Sequence, residues 1–165
     1  MGIAVFPGSF DPVTTGHMDL ILRAASMFDR LVVGVLVNSA KTPLFSVEDR
    51  VEMLRRLTAE VPNITVKSFD GLLVDFVEQE QADVIVRGLR TSVDFEYELP
   101  LAQANHRLNR KADTVFLATA PEYSYISSSA VKELLRYQAD ISGMVPELVR
   151  KWMEKQADRR DTNAV

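Results

Sequence analysis

Residues 3–17 read IAVFPGSFDPVTTGH, and this stretch decides the fold. A short apolar run, 3–6, ends at Pro7-Gly8, and a helical pattern starts at about His17. The order predicts a strand joined to a helix by a tight turn that contains glycine. Glycine allows a close approach of the backbone to a ligand, and the N–H groups at a helix N-terminus favour phosphate oxygens. A plain surface loop is the alternative, because short motifs give many false matches.

Four further apolar runs have the length of strands and alternate with longer segments of helical period. They are residues 31–37, 64–66, 84–86 and 114–118. The run 31–37 is apolar on both faces, as a central strand covered by helices on each side should be. We therefore predict a single-domain α/β fold with a Rossmann-like, doubly wound sheet of five parallel strands.

Helical patterns fill the segments between these runs. Ser46 is predicted to cap the second helix, and Pro100 is predicted either to kink the fourth helix or to start a new first turn. The polar residues at the end of the chain predict a disordered tail, 158–165, after a domain formed by residues 1–157. The predicted helices after the second are 72–79, 94–109, 127–137 and 146–156.

The composition excludes several classes of protein and of site. The chain has 165 residues, of which 47% are hydrophobic and 25% charged, as in ordinary globular domains. The absence of cysteine excludes disulfides, cysteine-ligated zinc and a thiol nucleophile, and two histidines are too few for a multi-histidine metal site. No signal peptide or membrane segment is recognisable, so we expect a cytoplasmic protein with no membrane partner. The net charge of −4 predicts no broad nucleic-acid binding.

Polar residues follow four of the five predicted strands, where ligands of parallel sheets bind. They lie in residues 8–11, 38–43, 87–90 and 119–129. Two arginines flank Gly88, which suits bidentate contacts to phosphate, although a solvated loop is the alternative. Three successive serines, 127–129, could cap a helix or hold a polyphosphate. Glu98 could serve the helix dipole or accept hydrogen bonds from a ribose or an amino group.

Taken together, these motifs resemble the bacterial phosphopantetheine adenylyltransferase family, over nearly the whole chain. The Gly-His turn alone would indicate only the nucleotidyltransferase superfamily. The later motifs, in this order, point to the specific family. The matching elements are GSFDP at 8–12, GH at 16–17, Lys41, RGLR at 87–90, DFEYE at 94–98 and YSYISSS at 123–129.

The resemblance implies a reaction of ATP with 4′-phosphopantetheine that gives dephospho-coenzyme A and pyrophosphate. The phosphate of the acceptor attacks the α-phosphorus of ATP directly, so no covalent enzyme intermediate forms. Mg²⁺ would be carried mainly by the nucleotide, with no dedicated protein metal site. The family also implies a homohexamer and feedback by coenzyme A.

The resemblance also implies roles for individual residues. His17 would stabilise the transition state at the α-phosphate, and Lys41 and Arg90 complete the predicted catalytic set. The predicted acceptor-binding residues are Ser9, Lys41, Leu73 and Arg87. The predicted ATP-binding residues are Ser9, Phe10, His17, Gly88, Leu89, Arg90, Glu98, Tyr123, Ser124, Tyr125, Ile126, Ser127, Ser128 and Ser129.

Three other functions remain open at the level of the sequence. The nearest is a nucleotidyltransferase with another acceptor, such as a cytidylyltransferase or an enzyme that adenylylates nicotinamide mononucleotide. A non-catalytic nucleotide sensor would keep the ATP contacts but would not need His17 and Lys41 together. A flavodoxin-like electron-transfer protein would share the fold and would purify coloured.

Overall fold

Five strands alternate with helices in the computed structural model, which describes residues 2–37 and 42–162, with side chains as far as Glu154. The strands are β1 (Ile3–Gly8), β2 (Arg30–Leu36), β3 (Ile64–Phe69), β4 (Val84–Leu89) and β5 (Asp113–Ala118). The helices are α1 (Thr15–Met27), α2 (Val47–Leu57), α3 (Leu73–Gln79), α4 (Ser92–Leu108), α5 (Ser128–Arg136) and α6 (Glu147–Thr162), with a short 3₁₀ turn at Pro121–Tyr123.

All five strands are parallel, in the order β3-β2-β1-β4-β5. This confirms the predicted doubly wound sheet. The chain proceeds outward from β1 to β2 and β3, then crosses back and adds β4 and β5 on the other side. The order therefore reverses between β1 and β4, which pair at Ala4 with Val84 and at Val5 with Ile85. Ligands of open α/β sheets bind beyond the carboxyl ends of the strands at such a reversal.

The core lies on both faces of β2. Leu31, Val32, Val33 and Val35 are fully buried, as expected of a central strand with helices on each side. Gly34 interrupts this run because the rings of Phe69 and Phe76, stacked with centroids 4.5 Å apart, occupy the space beside it.

Two of the helix predictions concern Pro100 and the end of α6. The helix α4 continues through Pro100, from an N-cap at Thr91, whose hydroxyl accepts the Asp94 N–H, to Leu108, so Pro100 does not start a new first turn. The helix α6 continues to Thr162, beyond the predicted helix end at residue 156. The division into a domain, 1–157, and a disordered tail, 158–165, stays a prediction. Residues 155–160 are rich in lysine, glutamine, alanine and arginine, whose helix propensity is high. Residues 163–165 lie outside the described part.

The predicted cap of α2 is confirmed, since the Ser46 hydroxyl accepts the Asp49 N–H at 3.0 Å. Among the helices described, none is both long enough and apolar enough to cross a membrane.

The space beside Gly34 gives a test of the packing. A Cβ added there would lie 2.7 Å from Phe76 Cε1, so Gly34→Ala should lower the free energy of unfolding by about 1–3 kcal/mol. Urea denaturation measures this loss. The same substitution made in a Phe76→Leu background should cost clearly less, because the ring that causes the clash is gone. Equal costs in both backgrounds would contradict the packing described.

Candidate active site

The turn after β1 holds His17 in one orientation. Thr14 is the N-cap of α1, and its hydroxyl oxygen accepts the His17 backbone N–H at 3.2 Å. In return, His17 Nδ1 accepts the Thr14 backbone N–H at 3.1 Å. The ring of Phe10 packs edge-on against the imidazole, with centroids 5.2 Å apart. This reciprocal arrangement has the pattern of a capping box, with histidine in the position that glutamate usually takes.

His17 is a neutral hydrogen-bond donor in this geometry. Burial is the largest cause, and together with the nearby cations Arg90 and Arg87 it lowers the pKa of His17 from 6.5 to about 4. Because Nδ1 accepts a backbone N–H, the single ring proton of the neutral form is on Nε2. The side chain therefore offers an N–H donor from the Nε2 edge, with no change of protonation needed at neutral pH.

Two cavities meet at the carboxyl ends of β1 and β4. The His17 cavity has a volume of about 500 Å³ and is lined by the imidazole and by the start of α5. The Leu73 cavity has a volume of about 570 Å³ and is lined by Leu73 and by one side of α4. Both volumes are in the range of small-molecule sites. The two cavities have a shared wall, formed by Pro7, Gly8, Ser9, Arg87, Glu98, Ser128 and Ser129.

Most residues predicted to bind ATP line the His17 cavity. They are Ser9, Phe10, His17, Gly88, Arg90, Glu98, Tyr123, Ile126, Ser127, Ser128 and Ser129. Three predicted residues line neither of the two cavities described here. Leu89 uses its carbonyl to accept the Thr119 N–H, Ser124 donates to the Pro121 carbonyl, and Tyr125 is 69% exposed.

Three of the four predicted acceptor-binding residues lie in the described part of the chain, and all three line the Leu73 cavity. Leu73 lines the Leu73 cavity, and Ser9 and Arg87 belong to the shared wall. The prediction for Lys41 lies outside the described residues. No group of three or more His, Asp or Glu side chains in the described part is placed to hold a metal ion.

Arg87, within β4, and Arg90, directly after that strand, both have acidic partners. Arg87 grips the Glu98 carboxylate with two N–H groups, the Nε contact measuring 2.8 Å, and also donates to the Pro7 carbonyl. Arg90 binds Asp94 through its guanidinium and its backbone N–H. Burial alone would raise the pKa of Asp94, but the hydrogen bonds from Arg90 outweigh it and hold that pKa below its usual value. Both cations are thereby fixed in the lining of the His17 cavity.

The start of α5 is fixed against the same turn. The Ser127 hydroxyl accepts the Ala130 N–H as an N-cap, and the Ser128 hydroxyl donates to the Pro12 carbonyl at 2.8 Å. The N-terminal end of the helix therefore lies beside the shared wall, where its dipole favours an anion.

The fold and the sequence of the chain are both similar to those of known proteins. The fold resembles a solved structure described as a nicotinate-nucleotide adenylyltransferase from Vibrio parahaemolyticus, with a TM-score of 0.67 at 17% identity, covering 92% of this chain and 97% of that one. The sequence model of the Cytidylyltransferase-like family matches residues 5–134. A phosphopantetheine adenylyltransferase from Lachnoclostridium phytofermentans is 54% identical over 90% of this chain and 91% of its own length. The chain belongs to the phosphopantetheine adenylyltransferase family.

A second member of the family, from Caldanaerobacter subterraneus subsp. tengcongensis, is 49% identical over 94% of this chain and 98% of its own length. Membership makes the chain a nucleotidyltransferase, which confirms the interpretation as an enzyme over those as a nucleotide sensor or an electron-transfer protein.

Thr14, Asp11 and Arg50 also belong to the site, although no role was predicted for them from the sequence. Thr14 orients His17, as described above. Asp11 accepts the backbone N–H groups of Leu44 and Phe45, each at 2.9 Å, and so ties the turn to the segment before α2. Arg50 is 3% exposed and donates to the carbonyl of Ser9 at 2.6 Å.

Only Arg50 gave a usable signal in the sequence. It shares a helical face with the apolar residues Val47 and Leu54, where a charged side chain is unusual. Burial lowers the pKa of its guanidinium, and the neighbouring Asp11 carboxylate opposes that shift. The charge of Arg50 on an apolar helix face could have indicated a buried hydrogen-bonding role for this side chain, but not the partners of its hydrogen bonds.

The protonation of His17 can be measured directly. In the free protein, ¹⁵N–¹H correlation spectra of the histidine rings should show His17 as the Nε2–H form, neutral from pH 8 down to about pH 5 and protonated only as the pH approaches 4. His17→Ala identifies its signals by their disappearance, which leaves those of His106. Titration near pH 6.5, or a proton on Nδ1, would contradict the geometry.

Proposed function

We propose that this enzyme transfers the adenylyl group of ATP to 4′-phosphopantetheine, giving dephospho-coenzyme A and pyrophosphate. The main observation in support of the proposal is that two neighbouring cavities share one wall. Most of the residues predicted to bind ATP line the first cavity, and Leu73, Ser9 and Arg87 line the second. The names of the relatives support the same pair of substrates.

In this proposal the two substrates react directly. An oxygen of the acceptor phosphate forms a bond to the α-phosphorus of ATP while the bond from that phosphorus to the bridging oxygen breaks, and pyrophosphate leaves with the electron pair. The protein then needs to align the two phosphates and to stabilise the charge that develops between them. No side chain has to act as a nucleophile.

His17 has a defined part in this step. Its Nε2–H donates a hydrogen bond to a non-bridging oxygen of the α-phosphate, where negative charge grows as the new bond forms. The lowered pKa supports a role as donor and not as a proton-transfer group. Arg90 and the serines at the start of α5 bind the β- and γ-phosphates. Negative charge accumulates on these phosphates as pyrophosphate leaves.

Ser9 and Arg87 hold the acceptor phosphate on the other side of the shared wall, with the backbone near Leu73 along the rest of the acceptor. Lys41 is proposed as a further counter-charge for that phosphate. Mg²⁺ enters with ATP as part of the substrate, through phosphate oxygens and water.

The family resemblance further predicts a homohexamer and feedback by coenzyme A. The helix α4 supports an assembly surface, because none of its side chains is buried and it exposes Val93 (68%), Tyr97 (71%) and Leu108 (62%). Feedback stays a prediction of the resemblance alone.

Pyrophosphate release tests the proposed reaction. Purified protein with Mg²⁺ should release pyrophosphate from ATP only when 4′-phosphopantetheine is present. Nicotinamide mononucleotide, pantetheine without its phosphate, and CTP in place of ATP are the controls, and each should give background release. Release with nicotinamide mononucleotide or with CTP instead would assign another acceptor or nucleotide. Silence with every acceptor would reject the proposal.

A further inference from the structure

Two of the cations that line the Leu73 cavity are already held by protein groups. Arg87 is bound to Glu98 and to the Pro7 carbonyl. Arg50 is almost fully buried and donates to the backbone carbonyls of Ser9, Leu36 and Ser46. These bonds fix the orientation of each guanidinium, so only its remaining N–H groups are available to a ligand.

Lys132 is the remaining cation among the described residues that line this cavity. Its Nζ lies 3.3 Å from Asp11 Oδ2, an oxygen that already accepts the Leu44 N–H at 2.9 Å. Charge-assisted hydrogen bonds to carboxylates are typically about 2.7–2.9 Å long, so this contact is weak. The side chain is 38% exposed.

A second lysine of the chain shows what a tightly held ammonium looks like. Lys67 Nζ contacts both carboxylate oxygens of Glu80, at 2.7 and 2.9 Å, although its side chain is more exposed, at 45%. An ammonium has three N–H donors, and Lys132 uses one of them, at a long distance, within the described part of the chain. As far as residues 2–37 and 42–154 are concerned, two donors of Lys132 are therefore available to a ligand.

The helix α5 determines which part of the cavity these donors face. Lys132 is four residues after Ser128, so both are on the same face of the helix, and Ser128 belongs to the shared wall. Asp11, the partner of Lys132, lies two residues after Ser9, which belongs to the same wall. The ammonium group is thus on the Leu73 side of the place where the two substrates meet.

We propose that Lys132 binds the phosphate monoester of the acceptor, with Asp11 orienting the ammonium group. The assignment rests on the proposed function, because it needs an acceptor with a terminal phosphate in the Leu73 cavity. The ligand class is a phosphate monoester on an otherwise uncharged arm. The competing explanation is an ion pair that only fastens α5 to the turn after β1.

Comparing two ligands isolates this interaction from general damage to the site. Isothermal titration calorimetry measures the binding of 4′-phosphopantetheine and of pantetheine to the wild-type protein and to Lys132→Met. The wild-type protein should prefer the phosphorylated ligand. Lys132→Met should reduce that preference by at least about tenfold, as expected when one hydrogen-bonded charge is lost, and should leave pantetheine binding unchanged.

Lys67→Met is the matched control, because it also removes a half-exposed lysine from a buried carboxylate, and Lys67 lines neither cavity. It should keep the wild-type preference. Lys132→Arg should retain most of the preference because the charge remains. Lys132→Gln provides a second neutral variant, and thermal melting shows whether each variant is folded.

The outcomes separate the inference from the function on which it rests. A wild-type preference that survives unchanged in Lys132→Met and Lys132→Gln would assign the lysine to the ion pair alone and overturn the inference. A loss confined to ATP binding would place the ammonium on the nucleotide and also overturn it. A wild-type protein that does not prefer the phosphorylated ligand would reject the proposed function itself.

Discussion

The reciprocal hydrogen bonds between Thr14 and His17 are the constraint on which the rest of the site depends. One bond satisfies a free N–H group at the start of α1, and the other removes the proton from Nδ1. The same two bonds therefore cap the N-terminus of α1, select the tautomer of His17 that carries its proton on Nε2, and direct Nε2 away from Thr14. A glutamate in this position would cap the helix equally well, but it would place a negative charge where phosphate is expected.

The described residues that line the two cavities include four cations and three carboxylates, in a chain whose net charge is −4. Arg87 and Arg90 are each fixed by one carboxylate from α4, so the helix acts as a frame for both guanidinium groups. Such pairing reduces the cost of holding cations close together near the half-buried His17, and it leaves further N–H groups of each arginine for a ligand. The proposed function uses these groups for the acceptor phosphate and for the β- and γ-phosphates of ATP.

Much of the fold was predictable because apolar period and turn residues are local properties. The five strands and the order of helices followed from them, and the meeting of Ser9, His17 and Arg87 followed because parallel strands end at one edge of a sheet. What was not predictable depends on distances between elements: the partner of Arg50, the carboxylates that hold Arg87 and Arg90, and the proximity of Lys132 to Asp11. The end of α6 was predicted too early, at residue 156, because the polar composition of the residues that follow was given more weight than their helix propensity.

The central claim is that His17 acts on the transition state as a neutral donor and contributes little to holding ATP. The most direct test compares turnover and ATP affinity in His17→Ala. The account predicts a loss of turnover of about two orders of magnitude or more, with the dissociation constant of ATP, measured by calorimetry, nearly unchanged. Near-normal turnover, or a loss of ATP affinity as large as the loss of turnover, would contradict it.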